Sequence, residues 1–177
     1  GAGPAHASEV ARRIRAPRVV IPLAAGATSA LGLLVAPVAF DFAQSYPAVL
    51  DEVDWDRVNG LFANLEARGL ETLVRAGVPE GRVRFIRSAE MRYVGQAHEI
   101  VVPLPAGPYS PASREAVARA FEAEYARLYR LLNPEYRVEV IHWCLRAVAP
   151  TPRPNLKAYA AGGAPEGDPC KGTRRAY

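Results

Sequence analysis

Lysine is nearly absent from this sequence, and its scarcity bears on possible partners. Among the 22 Lys and Arg residues in 177, only Lys157 and Lys171 are lysines, and the arginines are scattered along the chain with never more than two in a row. Nucleic-acid-binding proteins usually collect their basic residues into a patch or a run. No such run is present, so we predict no nucleic-acid partner in spite of the formal net charge of +4.

Cysteine, methionine and long apolar stretches are scarce as well. Cys144 and Cys170 form no CxxC motif and have no histidine at zinc-binding spacing, which argues against a zinc site and favours a reducing, cytoplasmic location. No apolar run approaches the ~20 residues that cross a bilayer, so no membrane association is predicted. The single methionine is Met91, and the sequence begins GAGPAHASEV, which predicts a piece of a longer polypeptide.

Hydrophobic periodicity predicts an α/β (α+β) fold with a mixed sheet and two long amphipathic helices. The predicted helices cover residues 5–15, 54–76 and 112–132, with a shorter one that begins near Thr28 or Ser29 and ends before Pro37. The predicted strands cover residues 18–22, 38–45, 82–92, 98–104 and 137–149. Beyond residue 150 the chain is dense in Pro and Gly without a period, so we predict one domain over 1–149 and a connector over 150–177.

The first candidate site is GAGPAHA at residues 1–7. Gly1 and Gly3 allow a ligand to approach the backbone closely, and Pro4 suits the first turn of the helix that follows. A helix N-terminus attracts phosphate, and His6 in the first turn could contact the same ligand. A simple turn and helix start, with His6 packed beside the glycines, explains the same residues, because the spacing is not that of a Walker loop.

The second candidate is MRYVGQAHEI at residues 91–100. In a continuous strand, Arg92, Gln96 and His98 would share one face, suited to gripping an oxyanion or an amide, while Glu99 would lie on the other. Gly95 predicts a bulge, which could bring Arg92 and Glu99 into a buried pair. The same residues could also be a structural polar network or a solvated hairpin, and the residues alone leave these interpretations open.

Aromatic residues on the second long helix form a third feature. Phe121, Tyr125 and Tyr129 are spaced four apart and so make a stripe along one helix face. Packing into the core explains this stripe better than a stacking platform for a base.

Several of these segments together resemble the hydantoinase A/5-oxoprolinase family. They are GAGPAHA, then AAGATSALGLL at 24–34, RSAEMRYVGQAHEIVVPLP at 87–105, FEAEYARLY at 121–129 and VEVIHWCLRAV at 138–148, in the family's order and spacing. The family includes ATP-dependent N-methylhydantoinase and oxoprolinase subunits and subunits of acetone and acetophenone carboxylases. One departure is Arg130, because members often have Gly after the tyrosine that ends this helix.

The resemblance implies an actin-like, sugar-kinase-like ATPase fold in which two α/β lobes clasp a nucleotide. The chain would be the later part of the second lobe, without the family's Asp-Gly-Gly-Thr phosphate loop and before a largely β C-terminal region. It implies use of ATP and Mg²⁺ to phosphorylate a carbonyl oxygen of a cyclic amide, with the metal ligands outside this chain. A fragment lacking half of the machinery is expected to be inactive alone.

The resemblance also implies roles for the candidate residues. Gly1, Gly3, Pro4 and His6 would line the nucleotide, and Arg92, Gln96 and Glu99 would be catalytic or lie near the substrate. The implied partner is a hydantoinase B-like subunit or fused domain. Two alternatives stay open: a ketone carboxylase subunit, and a non-catalytic module in which RYVGQAHE docks a partner subunit.

Overall fold

The computed structural model describes residues 2–22 and 25–151. The chain divides into two units, one formed by residues 1–36 and 151–177 and the other by residues 37–150. The smaller unit contains helix α1 (Gly3–Arg13), with Pro4 in its first turn, and helix α2 (Thr28–Val35). Both helices agree with the sequence prediction, and neither they nor the other described helices are long and apolar enough to cross a bilayer.

The predicted strand at 18–22 is wrong. Residues 18–22 form no strand, and Val19, Val20 and Ile21 are exposed by 42%, 78% and 56%. β-Branched residues favour extended backbone, but a strand also needs a neighbour for its backbone hydrogen bonds. No described segment pairs with residues 18–22, so their β propensity alone does not produce a strand.

The larger unit is a four-stranded sheet with two long helices. Its elements, in chain order, are β1 (Val38–Val49), α3 (Trp55–Arg75), β2 (Arg84–Tyr93), β3 (Ile100–Pro103), α4 (Arg114–Tyr129) and β4 (Val138–Ala149). The strand order is β1-β4-β2-β3, and every pair is antiparallel. The α/β (α+β) class is confirmed, whereas the predicted mixed sheet is wrong in these residues. β1 and β2 do run in the same direction, as a strand-helix-strand unit predicts, but β4 inserts between them.

Both long helices pack on one face of this sheet around a single core. Trp143 of β4 is fully buried against Trp55 and Phe62 of α3, with ring centroids 6.4 and 6.1 Å away. Phe121 of α4 packs edge to face on Tyr93 of β2 at 5.0 Å. Burying side chains of this size contributes about 1.5–3 kcal/mol each, so this face dominates the stability of the unit.

The ends of α3 are set by local chemistry that the sequence predicts. The Asp54 carboxylate accepts hydrogen bonds from the backbone N–H groups of Asp56 and Arg57, both at 3.1 Å, and so caps the N-terminus. At the other end Gly77 has φ +84°, and Val78 N–H reaches the Leu73 carbonyl at 3.0 Å. Glycine suits this left-handed position, and the helix stops there.

Candidate functional site

The RYVGQAHE segment contains the last two residues of β2 and the loop of the hairpin between β2 and β3. β2 ends at Tyr93, the chain turns at Val94 and Gly95, and β3 begins at Ile100. Gly95 has φ +89°, a conformation that other residues rarely adopt. Val94 N–H donates to the Arg137 carbonyl at 2.8 Å, which ties the loop to the residue preceding β4. The continuous strand on which the face assignment depended therefore does not form.

Gln96 closes this turn with three hydrogen bonds. Its backbone N–H donates to the Tyr93 carbonyl at 3.0 Å, and its side-chain oxygen accepts from Tyr93 N–H at 3.2 Å. The side-chain nitrogen donates to the Tyr125 hydroxyl of α4 at 2.7 Å. Both ends of the amide are thus committed to holding the loop against α4.

Tyr93 is the centre of this contact and is 3% exposed. Its ring lies 4.9 Å from that of Tyr125 and 6.2 Å from that of Tyr136, measured between centroids. Its hydroxyl accepts a hydrogen bond from Asn133 N–H at 3.1 Å. The loop, the end of α4 and the segment that leads to β4 therefore meet around one tyrosine.

An open cleft of about 470 Å³ lies beside this network. It is lined by Tyr93, Val94, Gly95, Gln96, Asn133 and Tyr136. The lining contains amide, phenol and backbone groups but no charged side chain. Such a surface can hydrogen-bond a neutral amide or a partner's backbone, but it has no group of its own that would act as a strong acid or base.

Arg92 does not face this cleft. It alternates with Tyr93 along β2, so its side chain lies on the sheet face away from the helices. There its Nε donates to Glu139 Oε1 at 2.8 Å, directly across the strand pair, and the two side chains are 27% and 17% exposed. The predicted pairing of Arg92 with Glu99 is wrong, because Glu139 is the partner.

Other polar side-chain pairs on this face follow the same cross-strand register. They are His142 with Glu90 at 3.9 Å and Arg146 with Asp41 at 3.8 Å. Cys144 lies on the same face, and burial, together with the nearby charges of Glu90 and Asp41, raises the pKa of its thiol to about 11. The thiol is therefore protonated near neutral pH and a poor nucleophile.

A further ion pair lies on the helix side of the sheet, away from the hairpin loop. Arg87 of β2 donates through Nε and Nη2 to Glu66 Oε1 of α3, at 2.9 and 2.6 Å. Its guanidinium also lies 4.7 Å from the centre of the Phe62 ring. Burial acts to lower the pKa of Arg87, but the hydrogen bond and charge of Glu66 contribute to a net rise, so the guanidinium stays protonated.

Glu99 and His98 are exposed in the loop between Gln96 and β3. No described residue makes a hydrogen bond or ion pair with the Glu99 carboxylate. Arg92, Gln96 and Glu99 thus have three different environments: a cross-strand ion pair, an amide hydrogen-bonded through both its oxygen and its nitrogen, and a carboxylate with no partner among the described residues. The structure does not gather them into one constellation.

Sequence reasoning missed three participants in this site, namely Glu139, Asn133 and Tyr136. Glu139 could be found only from the strand register, which the sequence does not state. Tyr125 was predicted as core on the basis of its spacing, and its ring is indeed buried, but its hydroxyl also anchors Gln96. A buried tyrosine hydroxyl usually has a hydrogen-bond partner, so the sequence could have indicated that Tyr125 bonds to a polar side chain.

Comparison with known proteins identifies the family. Residues 51–177 match the model described as the hydantoinase/oxoprolinase C-terminal domain. The chain belongs to this family. The predicted resemblance is thereby confirmed, and the RYVGQ loop, α4 and β4 all lie within the matched residues.

Relatives within the hydantoinase/oxoprolinase family extend the match towards the N-terminus. The chain is 28% identical over 163 residues to caprolactamase subunit alpha of Pseudomonas jessenii, covering 90% of this chain and 23% of that protein. It is 25% identical over 189 residues to the acetone carboxylase beta subunit of Xanthobacter autotrophicus, covering 100% and 26%. An uncharacterised protein of Methanocaldococcus jannaschii is 28% identical over 159 residues, covering 90% and 22%. The chain thus spans about a quarter of the length of these relatives.

Two solved structures share the fold. The crystal structure of the ATP-dependent caprolactamase from Pseudomonas jessenii matches with a TM-score of 0.68 at 28% identity, over 87% of this chain and 23% of that one. The nucleotide-free acetone carboxylase structure matches with a TM-score of 0.68 at 24% identity, over 77% and 21%.

The residues expected to contact a nucleotide in this family are only partly described. Gly1 lies outside the described residues, while Gly3, Pro4 and His6 are in the first turns of α1. Pro4 has no N–H, whereas the Gly3 N–H has no hydrogen-bond partner among the described residues, and His6 is exposed. A Cβ added at Gly3 would meet no described atom within 4 Å beyond its chain neighbours and the backbone of its own helix.

Magnesium ligands cannot be assigned to the described residues. Residues 2–22 and 25–151 contain no group of three or more His, Cys, Asp or Glu side chains placed to hold a metal ion. Mg²⁺ takes near-octahedral oxygen coordination with one or two carboxylates. No step is therefore attributed to a metal in this part of the protein.

Proposed function

We propose that this chain is part of an ATP-dependent enzyme that opens a cyclic amide. The similarity to the caprolactamase alpha subunit carries this proposal, because it is the stronger of the two functionally named matches and extends over 90% of the chain. Hydantoin and 5-oxoproline are cyclic amides of the same chemical class as caprolactam. Use of ATP is supported by the similarity to the solved caprolactamase, which is an ATP-dependent enzyme, and Mg²⁺ by the resemblance alone.

In this reaction ATP would supply a phosphoryl group that activates the amide oxygen. The N–H of Gly3 and the N-terminus of α1 would bind a nucleotide phosphate, with His6 beside it. Gln96 would act as a positioning residue, because both ends of its amide are engaged within the chain. Glu99 is the one of the three predicted catalytic residues whose side chain has no hydrogen-bond or ion-pair partner among the described residues, so it is our candidate for direct contact with substrate.

A chimera tests this proposal. Replacing the matching segment of the caprolactamase alpha subunit by this chain should preserve ATP-dependent opening of caprolactam, 5-oxoproline or hydantoin, measured as phosphate release together with ring-opened product. Turnover of acetone with bicarbonate in place of the cyclic amides would favour the ketone carboxylase alternative. A folded, assembled chimera that hydrolyses none of the cyclic amides would contradict the proposal.

Glu99 can be tested in the same chimera. Glu99→Gln should lower kcat by about 100-fold or more if the carboxylate transfers a proton in the reaction. Glu122→Gln is the control, because Glu122 is exposed on α4 and no described residue pairs with it. Equal activity of the two variants would remove Glu99 from the catalytic residues while leaving the amide-opening activity itself in place.

A second candidate function is docking of a partner subunit, and one observation favours it. The network around Tyr93 is bordered by exposed apolar residues, with Leu131, Leu132 and Tyr136 exposed by 56%, 43% and 61%. Exposed apolar groups beside saturated polar groups are typical of an interface. The named relatives are an alpha and a beta subunit, so those proteins have partner subunits.

If this surface docks a partner subunit, substitutions in it should weaken association with that subunit. Leu131→Asp with Leu132→Asp in the chimera should abolish co-elution with the partner subunit and leave the melting temperature nearly unchanged. Leu34→Asp is a control, because Leu34 is 70% exposed but lies in α2, outside the unit that contains the cleft. Unchanged co-elution of the double variant would exclude this surface as the interface.

A further inference from the structure

A basic groove runs between α3 and β1, away from the RYVGQ loop. We define the α3–β1 groove by the residues that line it: Gln44, Ser45, Tyr46, Arg57, Gly60, Leu61, Asn64, Leu65 and Arg68. Its volume is about 340 Å³, and no carboxylate is among the lining residues. Arg57 and Arg68 are eleven positions apart on α3, which places them on the same side of the helix.

Neither arginine has an acidic partner among the described residues. Each lies instead over an aromatic ring of β1, with the Arg57 guanidinium carbon 4.0 Å from the centre of the Tyr46 ring and that of Arg68 5.5 Å from the centre of Phe42. Stacking on a ring holds the guanidinium in place and leaves its N–H groups available at the edges. The groove therefore presents two positioned cations that have no counter-charge in the described residues.

The floor of the groove is an unpaired strand edge. β1 lies at the end of the sheet with β4 as its single neighbour, and no described residue hydrogen-bonds to the far edge of residues 38–45. Every second residue of an edge strand directs its N–H and C=O outward, where an extended segment can pair with them. The unpaired edge of β1 therefore lies beside the two guanidinium groups of Arg57 and Arg68.

We propose that the α3–β1 groove binds an extended acidic segment of a partner polypeptide, which adds a strand to β1. Tyr46 and Phe42 are four residues apart in β1, so the two guanidinium groups above them are separated by about 13 Å along the strand. Residues i and i+4 of an added strand have this same spacing and share a face. The matching motif is two Glu or Asp residues four positions apart.

Gly60 contributes to this site through its lack of a side chain. It lies between the two arginines on α3, and a Cβ placed there would meet no atom within 4 Å, so the groove is open at its centre. Gln44 and Asn64 add amide groups to the lining without a hydrogen-bond partner among the described residues. Together they supply polar contacts for the segment between its two acidic residues.

Peptide titration of the 177-residue chain tests the proposal. A short Thr/Val-rich peptide with two glutamates four positions apart should bind, and its affinity should fall with rising NaCl concentration. The same peptide with both glutamates replaced by Gln should bind at least several-fold more weakly. Arg57→Gln and Arg68→Gln should each weaken binding of the Glu peptide by about two- to fivefold, as exposed ion pairs do, and leave the Gln peptide unaffected.

Hydrogen exchange distinguishes strand addition from simple charge attraction. Amides of residues 38–45 that exchange quickly in the free protein should become protected when the Glu peptide binds. Arg75→Gln is the matched control, because Arg75 is on the same helix but pairs with Glu71 outside the groove. The proposal is overturned if the peptide fails to bind at millimolar concentration, if β1 gains no protection, or if inorganic polyphosphate binds in place of the peptide.

Discussion

The side chains of Arg92 and Gln96 make their contacts on opposite faces of the sheet although only three residues separate them. The Arg92 guanidinium pairs with Glu139 on the open face, and the Gln96 amide reaches Tyr125 of α4 on the helix face. The turn at Gly95 causes this separation, because it reverses the chain before the alternation of a strand can continue. A single substrate therefore cannot be gripped by both side chains from one side.

The Arg92–Glu139 pair predicts a coupled loss of stability. Arg92→Ala should lower the free energy of unfolding by about 1–2 kcal/mol, because it leaves a half-buried carboxylate without its donor. A double-mutant cycle with Glu139→Gln, followed by urea denaturation, should give a coupling energy of about 1 kcal/mol. A coupling energy near zero would show that the pair does not form in solution.

The Gln96 side-chain amide is expected to stabilise the hairpin loop. Gln96→Ala leaves Tyr93 N–H and the Tyr125 hydroxyl without partners and should lower the free energy of unfolding by about 1–3 kcal/mol. Tyr125→Phe removes only one hydroxyl and should cost about 1 kcal/mol. Gln44→Ala is the matched control, since Gln44 is exposed without a described hydrogen bond and its loss should change stability by less than about 0.5 kcal/mol. Equal effects of Gln96→Ala and Gln44→Ala would contradict the network.

Arg130 is predicted to be a strained position that glycine would relieve. It caps α4 with φ +55°, a left-handed conformation that costs a residue with a Cβ about 1–2 kcal/mol. Arg130→Gly should therefore raise the melting temperature. Arg119→Gly, in the middle of α4, should lower the stability by about 1 kcal/mol. A lower melting temperature for Arg130→Gly would contradict the assigned conformation.

Two glycines of α3 should respond in opposite ways to alanine. A Cβ at Gly69 would lie 2.9 Å from the Ala147 Cβ and 3.4 Å from the Phe85 ring, so Gly69→Ala should force α3 away from the sheet and cost about 1–3 kcal/mol. Gly60→Ala meets no neighbour and should stabilise the helix by about 1 kcal/mol. Thermal unfolding of both variants checks this, and a stabilising Gly69→Ala would show that the helix packs less closely than described.

Cys144 should react slowly with thiol reagents. Its pKa of about 11 in the folded state exceeds the value of about 8.5 for an exposed thiol, so the reactive thiolate is rare at neutral pH. In a Cys170→Ser background, the alkylation rate should rise with pH towards a midpoint near 11, and the urea-unfolded chain should show a midpoint near 8.5. The raised pKa implies a stabilising contribution that is complete below about pH 8.5 and is lost as the pH rises through about 11. A folded-state midpoint near 8.5 would contradict the burial.

Much of the fold could be predicted from local signals in the sequence. The predicted helix at 54–76 agrees with α3 within one residue at each end, because the Asp54 cap and the Gly77 stop act through neighbouring residues. The same kind of signal misplaced residues 18–22, where β-branched side chains favour extended backbone but no partner strand is present among the described residues. Local preference predicts an element only when the tertiary contacts agree with it.

For the candidate site too, some features could be predicted from the sequence and others depend on tertiary structure. The order and spacing of GAGPAHA, RYVGQAHE and FEAEYARLY indicated the family, because a motif is recognised from the order of residues and needs no structure. Which side chains meet was decided by tertiary structure: the insertion of β4 between β1 and β2 brings Glu139 to Arg92, and the hairpin turn brings Gln96 to Tyr125. Strand order and register depend on the packing of residues far apart in sequence, so the sequence alone could name Arg92 as notable but could not name its partner.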